Sequence, residues 1–131
     1  MLDIFKEYAT DEKLELGGVT KELGEGKFTI GRARNDNYLK FYGDLQAANA
    51  DKLRLGGEEA KKLSEELLLE VYAKTILLGW ENVAFQGKKL PYSTENAIKL
   101  LRVKDFFAVV NTWAHDIANF KAVEVQEDAG N

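Results

Sequence analysis

A chain of 131 residues that is 45% hydrophobic and 31% charged has room for one ordinary hydrophobic core, since domains usually run to roughly 100–200 residues. It contains no cysteine, which removes disulfides, thiolate metal sites and thiol catalysis together and fits a reducing compartment. A net charge of −4 argues against broad binding to a phosphate backbone, which needs a concentrated basic field.

In chain order, Leu2, Phe5 and Tyr8 fall at i, i+3 and i+6 and predict a short helix ending near Thr10-Asp11. This start lacks the basic residues and apolar run of a signal peptide. Nothing elsewhere approaches the ~18 apolar residues of a membrane span, so a soluble protein without a membrane partner is expected. Residues 13–16, 19–23 and 27–33 alternate in polarity and are separated by Gly17-Gly18 and Gly24-Glu25-Gly26. They predict a β-hairpin or small meander, which must rest on helices to be stable. Asn35 and Asp36 are N-cap candidates for a helix with Tyr38, Phe41, Tyr42 and Leu45 on its apolar face. Lys52 and Arg54 suit the negative end of its dipole before Gly56-Gly57 stops it.

Glu58 and Glu59 open the next helix, with Ala60, Leu63 and Leu67 inward and the pairs Glu58/Lys62, Lys61/Glu65 and Lys62/Glu66 outward. From 67 to 78 apolar residues cover almost every direction, so this stretch is expected to be buried all round. The cover comes either from the chain's own helices or in part from a second copy. Gly79 ends the segment, and residues 80–92 read as a long connection with a second hairpin around Gln86-Gly87-Lys88. Ser93 caps a short helix carrying Ala97, Ile98, Leu100 and Leu101. Asp105 starts the last helix, with Phe106, Val110, Trp113, Ala114 and Ile117 as its stripe. The expected architecture is a single domain, mainly α-helical with a small N-terminal β-hairpin or meander, α+β by strict count. It divides into a helix-and-hairpin region 1–34, a helical core 35–120 and a frayed tail 121–131.

Catalytic chemistry finds little support. Gly24-Glu25-Gly26-Lys27 fails as a phosphate-binding loop, because Lys21 stands where a glycine is needed and Phe28 where a hydroxyl must hold magnesium. Ser64, Ser93 and His115 offer no hydrolytic set, and His115 and Asp116 point about 100° apart on a helix. A single histidine without a second ligand at i+4 is a poor metal site. Glu58/Glu59 and Glu65/Glu66 read as a solvated face, with nothing apolar nearby to raise a pKa. The expectation is no enzyme, no cofactor and no metal. Arg32 and Arg34, two apart after Phe28 and Ile30, either leave one face of a strand together toward an acidic partner or a phosphate, or are solvated at its end. Trp80, Tyr92, Trp113 and Phe120 are large rigid side chains that serve either as binding anchors or as core.

The segments Ile76-Leu77-Leu78-Gly79-Trp80-Glu81-Asn82-Val83 and Gly87-Lys88-Lys89-Leu90-Pro91-Tyr92-Ser93-Thr94-Glu95-Asn96-Ala97 resemble tail assembly chaperones of long, flexible-tailed bacteriophages of the siphovirus type. So do Phe5-Lys6, Tyr8-Ala9-Thr10-Asp11 and Gly26-Lys27-Phe28-Thr29-Ile30-Gly31-Arg32-Ala33 at the start, and Ala118-Asn119-Phe120 through Gly130-Asn131 at the end. The resemblance spans nearly the whole chain and rests on the order of these strings rather than on a catalytic motif. It implies a protein of the host bacterial cytoplasm, absent from the finished virion. Such a protein binds and solubilises the tape measure protein, recruits tail tube protein subunits, forms homo-oligomers and associates with a longer form made by translational frameshift. The net charge of −4 leads to the expectation of no nucleic-acid partner. A holdase needs open or shared apolar surface, and the stretches 67–78 and 106–120, each read as one helix, are expected to supply the core and a self-association face. The candidate partner-binding or self-association residues are Leu69, Ile76, Trp80, Trp113, Phe120, Arg32 and Arg34. The rival reading is a small structural virion protein such as a head–tail connector.

Overall fold

The computed structural model describes residues 1–122. It is mainly helical with a small antiparallel sheet. The N-terminal helix is a single turn, α1 (Ile4–Tyr8), capped by the Asp3 carboxylate, which accepts from the Lys6 N–H. Residues 13–16, expected as a strand, lie instead in a second short helix, α2 (Glu12–Gly17). Asp11 decides this, because its side chain accepts from the Lys13 N–H at 2.8 Å and turns the backbone into a helix before any strand partner is available. Gly18 ends α2 at φ +90, and a Cβ there would lie 2.7 Å from Thr29 Cγ2.

The expected hairpin follows as β1 (Val19–Leu23) and β2 (Gly26–Ile30), paired from Val19↔Ile30 to Leu23↔Gly26. Alternate β2 residues Gly26, Phe28 and Ile30 are buried while Lys27 is exposed, the period-2 pattern of a strand with one face on a core. The sheet's third strand is β3 (Leu77–Glu81), antiparallel to β2 with Phe28↔Trp80 and Ile30↔Leu77. The apolar stretch 67–78 is therefore not one helix. Its helix stops at Thr75, whose hydroxyl bonds back to the Val71 carbonyl at 2.7 Å, and Leu77-Leu78 continue as strand.

Helix α3 (Asp36–Ala48) begins at Asn35, whose side chain accepts from the Tyr38 N–H at 2.9 Å, as the sequence predicts. The helix expected to run on to Arg54 is broken at Asn49, and α4 (Ala50–Arg54) follows. The Asn49 amide side chain donates to the Leu45 carbonyl at 2.8 Å, an alternative to helix continuation that short polar side chains offer. The central helix α5 (Gly57–Thr75) packs against α3, α4, α6 and β3. Then come the predicted small hairpin, β4 (Ala84–Phe85) and β5 (Lys88–Lys89), closed by Gln86-Gly87 at positive φ, and α6 (Thr94–Leu101), capped by Ser93. Helix α7 (Lys104–His115) ends earlier than expected. Asp116 caps a 3-10 turn, Ile117–Phe120, in its place.

Val71, Ala73, Ile76, Leu77, Ala97, Leu101, Val110 and Ala114 form a core that extends to Phe28 and Ile30 of the sheet. Each of the larger side chains contributes about 1.5–3 kcal/mol by burial. Phe120 is also fully buried. The tail begins ordered, since Thr10 and Lys121 form a β-bridge and the Ala122 N–H donates to the Ala9 carbonyl. The rest of the expected frayed tail, 123–131, lies outside the described residues.

Candidate protein-interaction surface

Ile76 and Phe120 are wholly buried, which removes both from any partner-facing surface of this fold. Each is surrounded by the chain's own elements, so the apolar stretch 67–78 is covered mostly from within. The remainder is Leu78 on β3 and, half-buried on α5, Leu68 and Leu69. With Leu101 and Phe107 the two α5 leucines line an open groove of about 400 Å³ where α5 meets the α6–α7 corner. Its polar lining is Glu65 and Glu66 on α5, Arg102 at the corner and Lys104 at the start of α7. Glu66 and Arg102 form a two-bonded ion pair, 2.5 and 2.7 Å. The Arg102 hydrogen bond holds the Glu66 carboxyl below its ordinary pKa. The pairs expected along α5 give way here, because the α6–α7 corner brings a guanidinium to Glu66 that Lys62 on the same helix does not displace.

A second groove, of about 560 Å³, lies on the other side of the same corner. Leu23, Phe28, Val83, Phe85, Leu100, Val103 and Phe106 give it a mainly apolar lining, with Glu25 and Asn82 as its polar members. Leu23 and Val103 are close to half exposed, so both sides of the corner present apolar surface. Val103 provides the N-cap of α7 without a side-chain hydrogen bond.

Trp80 and Trp113 are half-buried and belong to one aromatic cluster around Phe28, with ring centroids 6.4 and 5.9 Å from it. The Trp80 indole N–H donates to the Leu90 carbonyl at 2.7 Å and meets Tyr92 edge-on at 5.0 Å. This ties the β4–β5 arm to the sheet. Both rings are thus committed in good part to packing within the chain.

Arg32 and Arg34 do not share a strand face, because β2 ends at Ile30 and Arg34 sits at φ +60 in the following turn. Arg32 donates to Glu15 at 2.9 Å and to the Thr10 hydroxyl at 3.2 Å. It is therefore a strut between α2 and the β2 end, with its charge neutralised. Arg34 is exposed beside a polar hollow that also includes Ala114 and His115. The His115 Nδ1 lies 2.8 Å from the Asn111 carbonyl. Among the described residues no group of three or more His, Asp or Glu side chains is placed to hold a metal, and no helix is long and apolar enough to cross a membrane.

Residues 33–131 match the YdaY prophage protein family. That is about three-quarters of the chain. The chain belongs to the YdaY prophage protein family. It is phage-derived, and the family region contains α3 through α7 and the whole of the α5/α7 groove, whereas α1, α2 and the β1–β2 hairpin precede it. No curated protein and no solved structure matches the chain.

The groove residues Leu68, Leu101, Phe107 and Lys104 were not among the sequence candidates. Leu68 and Phe107 do fall within the stretches 67–78 and 106–120 named for self-association, and Leu101 belongs to the core that the α6 stripe predicts.

Proposed function

We propose that this phage-derived protein is a tail assembly chaperone. It binds and solubilises the tape measure protein and recruits tail tube subunits in the host bacterial cytoplasm, without catalysing a reaction and without remaining in the virion. The observation that carries the reading is apolar surface left open on both sides of the α6–α7 corner, lined by Leu68, Leu69, Leu101 and Phe107 on one side and by Leu23, Val83, Val103 and Phe106 on the other. Grooves of this kind accept the apolar face of a client helix, with i, i+3, i+4 and i+7 anchors in the pocket and charges at the rim. The sequence resemblance to siphovirus tail assembly chaperones and the prophage family support the same direction. Self-association, and association with a frameshifted longer form, belong to this reading because a repeated small domain can line a long client through many weak contacts.

The test is co-expression with the tape measure protein of the same phage, followed by affinity capture and sizing of the soluble fraction. The expected result is a soluble complex whose tape measure component precipitates when this chain is omitted. Absence of any complex with both the short and the longer form, together with recovery of the chain in purified particles, would overturn the chaperone reading in favour of a virion component.

A further inference from the structure

Arg34 occupies a backbone conformation that favours glycine. Its φ of +60 lies in the left-handed region, where the Cβ of an L-residue crowds the following carbonyl and glycine meets no such conflict. Strain of this kind persists where the side chain has a task, and the fold's own contacts give Arg34 none. Among the described residues it makes no hydrogen bond and no ion pair. Burial raises the pKa of the neighbouring Tyr38 phenol, and the Arg34 charge only opposes that rise. Arg34 lines a hollow of about 410 Å³ with Glu15, Arg32, Ala33, Ala114 and His115. Arg32 and Glu15 bond to each other at 2.9 Å, which leaves Arg34 as the uncompensated charge there. Nor is it needed at the end of α7, which borders the hollow. The Asn111 carbonyl faces His115 Nδ1, that of Trp113 accepts from the Asp116 N–H and the Asn119 amide, and that of Ala114 accepts from the Ala33 N–H. A ring nitrogen facing a carbonyl carries the hydrogen, so the free polar atom of His115 is Nε2.

We propose that Arg34 and His115 form a binding site for one carboxylate side chain of an acidic segment of a partner protein. The guanidinium fork of Arg34 donates two parallel N–H groups to the carboxylate oxygens, a match of shape as well as charge. The incoming negative charge favours the imidazolium form of His115. Its Nε2–H then donates to the same carboxylate, so binding takes up a proton. The charged groups about that ring are Glu15 of α2, Arg32 and Arg34 of the turn before α3, and Asp116 at the end of α7. A single carboxylate suits this hollow better than a nucleic acid does. One uncompensated guanidinium on a chain of net charge −4 is enough for one anionic group and far from the basic field that a phosphate backbone needs. The hollow shares no residue with either apolar groove. The inference goes beyond the chaperone reading and does not rest on it.

The probe is a capped tetraglutamate peptide, titrated into the isotope-labelled full chain and followed by the amide signals in nuclear magnetic resonance. The titration is run at about pH 6 and about pH 8, either side of the ordinary imidazole range, with inorganic phosphate at equal ionic strength as the competing anion. Saturable shifts centred on Ala33, Arg34, Ala114 and His115 are expected at millimolar peptide, several-fold tighter at the lower pH and tighter than for phosphate. Arg34→Gly relieves the backbone, so it is expected to melt at or above the parent while losing the shifts. His115→Gln is expected to retain weaker binding and to lose its pH dependence. An Arg34→Gly chain that melts below the parent would give Arg34 a structural task and overturn the proposal. So would peptide shifts that survive in Arg34→Gly, a parent chain without saturable shifts, binding equal at the two pH values, or phosphate bound as tightly as the peptide.

Discussion

Asn35 joins three elements through one side chain. Its Oδ1 accepts from the Tyr38 N–H at 2.9 Å, and its Nδ2 donates to the Arg32 carbonyl at 2.9 Å and to the buried Thr75 carbonyl at 3.1 Å. Replacing it with alanine removes the N-cap of α3, at a cost of about 1 kcal/mol. It also orphans the Thr75 carbonyl, one of the last-turn carbonyls that α5 cannot satisfy itself, at a cost of about 1–3 kcal/mol. Asn35→Ala is therefore expected to lose roughly 2–4 kcal/mol of stability. In urea this appears as a midpoint lowered by about 1–2 M at unchanged slope, for a slope of ~2 kcal/mol/M. Asn35→Asp is the discriminating variant, because it keeps the cap acceptor and loses the amide donor. If the reasoning is right it recovers no more than the cap. An Asn35→Asp protein with the parent's midpoint would show that only the cap matters, and would refute the bridge to Thr75 as a source of stability.

A Cβ at Gly31 would lie 2.7 Å from the Thr75 carbonyl oxygen and 3.3 Å from that of Glu15. Backbone atoms cannot swing aside, so Gly31→Ala is expected to cost about 1–3 kcal/mol; Gly43→Ala, with nothing within 4 Å, is expected to stabilise α3 by about 0.5–1 kcal/mol, and thermal melts compare the two. Burial, reinforced by the neighbouring Tyr38, pushes the Tyr72 phenol up from 10.0 to about 12. The neutral form is favoured by the fold, so its stabilising contribution is complete below pH 10 and is lost as the pH rises toward 12. Burial also raises Tyr38 and Tyr92, so ultraviolet titration is expected to show several late tyrosines, of which one is lost in Tyr72→Phe.

Local signals are legible at several caps and turns, though not at Asp11 and Asn49, whose side chains also decide the backbone. Asn35 and Ser93 cap the helices expected of them, and Gln86-Gly87 turns the small hairpin. Legibility fell where two periods fit the same letters. Lys13-Leu14-Glu15-Leu16 satisfies both alternation and a helical turn, and Asp11 settles the choice from outside the window. Leu77-Leu78 extends an apolar run that any buried element could own, and it becomes strand because β2 offers it a partner about fifty residues away in sequence. Of the apolar surface candidates, Leu69 lines a groove whereas Ile76 and Phe120 are buried, since apolar character marks burial without saying whose surface supplies it. Arg32 was misread for a related reason: its partner, Glu15, lies on a helix that alternation had assigned to the sheet.

The placement of β3 also sets an order of events during synthesis. The β1–β2 hairpin leaves the ribosome first, yet β2 is the middle strand and its second neighbour follows only after α3, α4 and α5. Until residues 77–81 arrive, one edge of β2 lacks its ladder, and Phe28 and Ile30 lack the core that later buries them. Pairings so distant in sequence close slowly, because loop entropy must be overcome before any contact repays it. The nascent chain thus carries an open strand edge while about fifty further residues, those of α3, α4 and α5, are added.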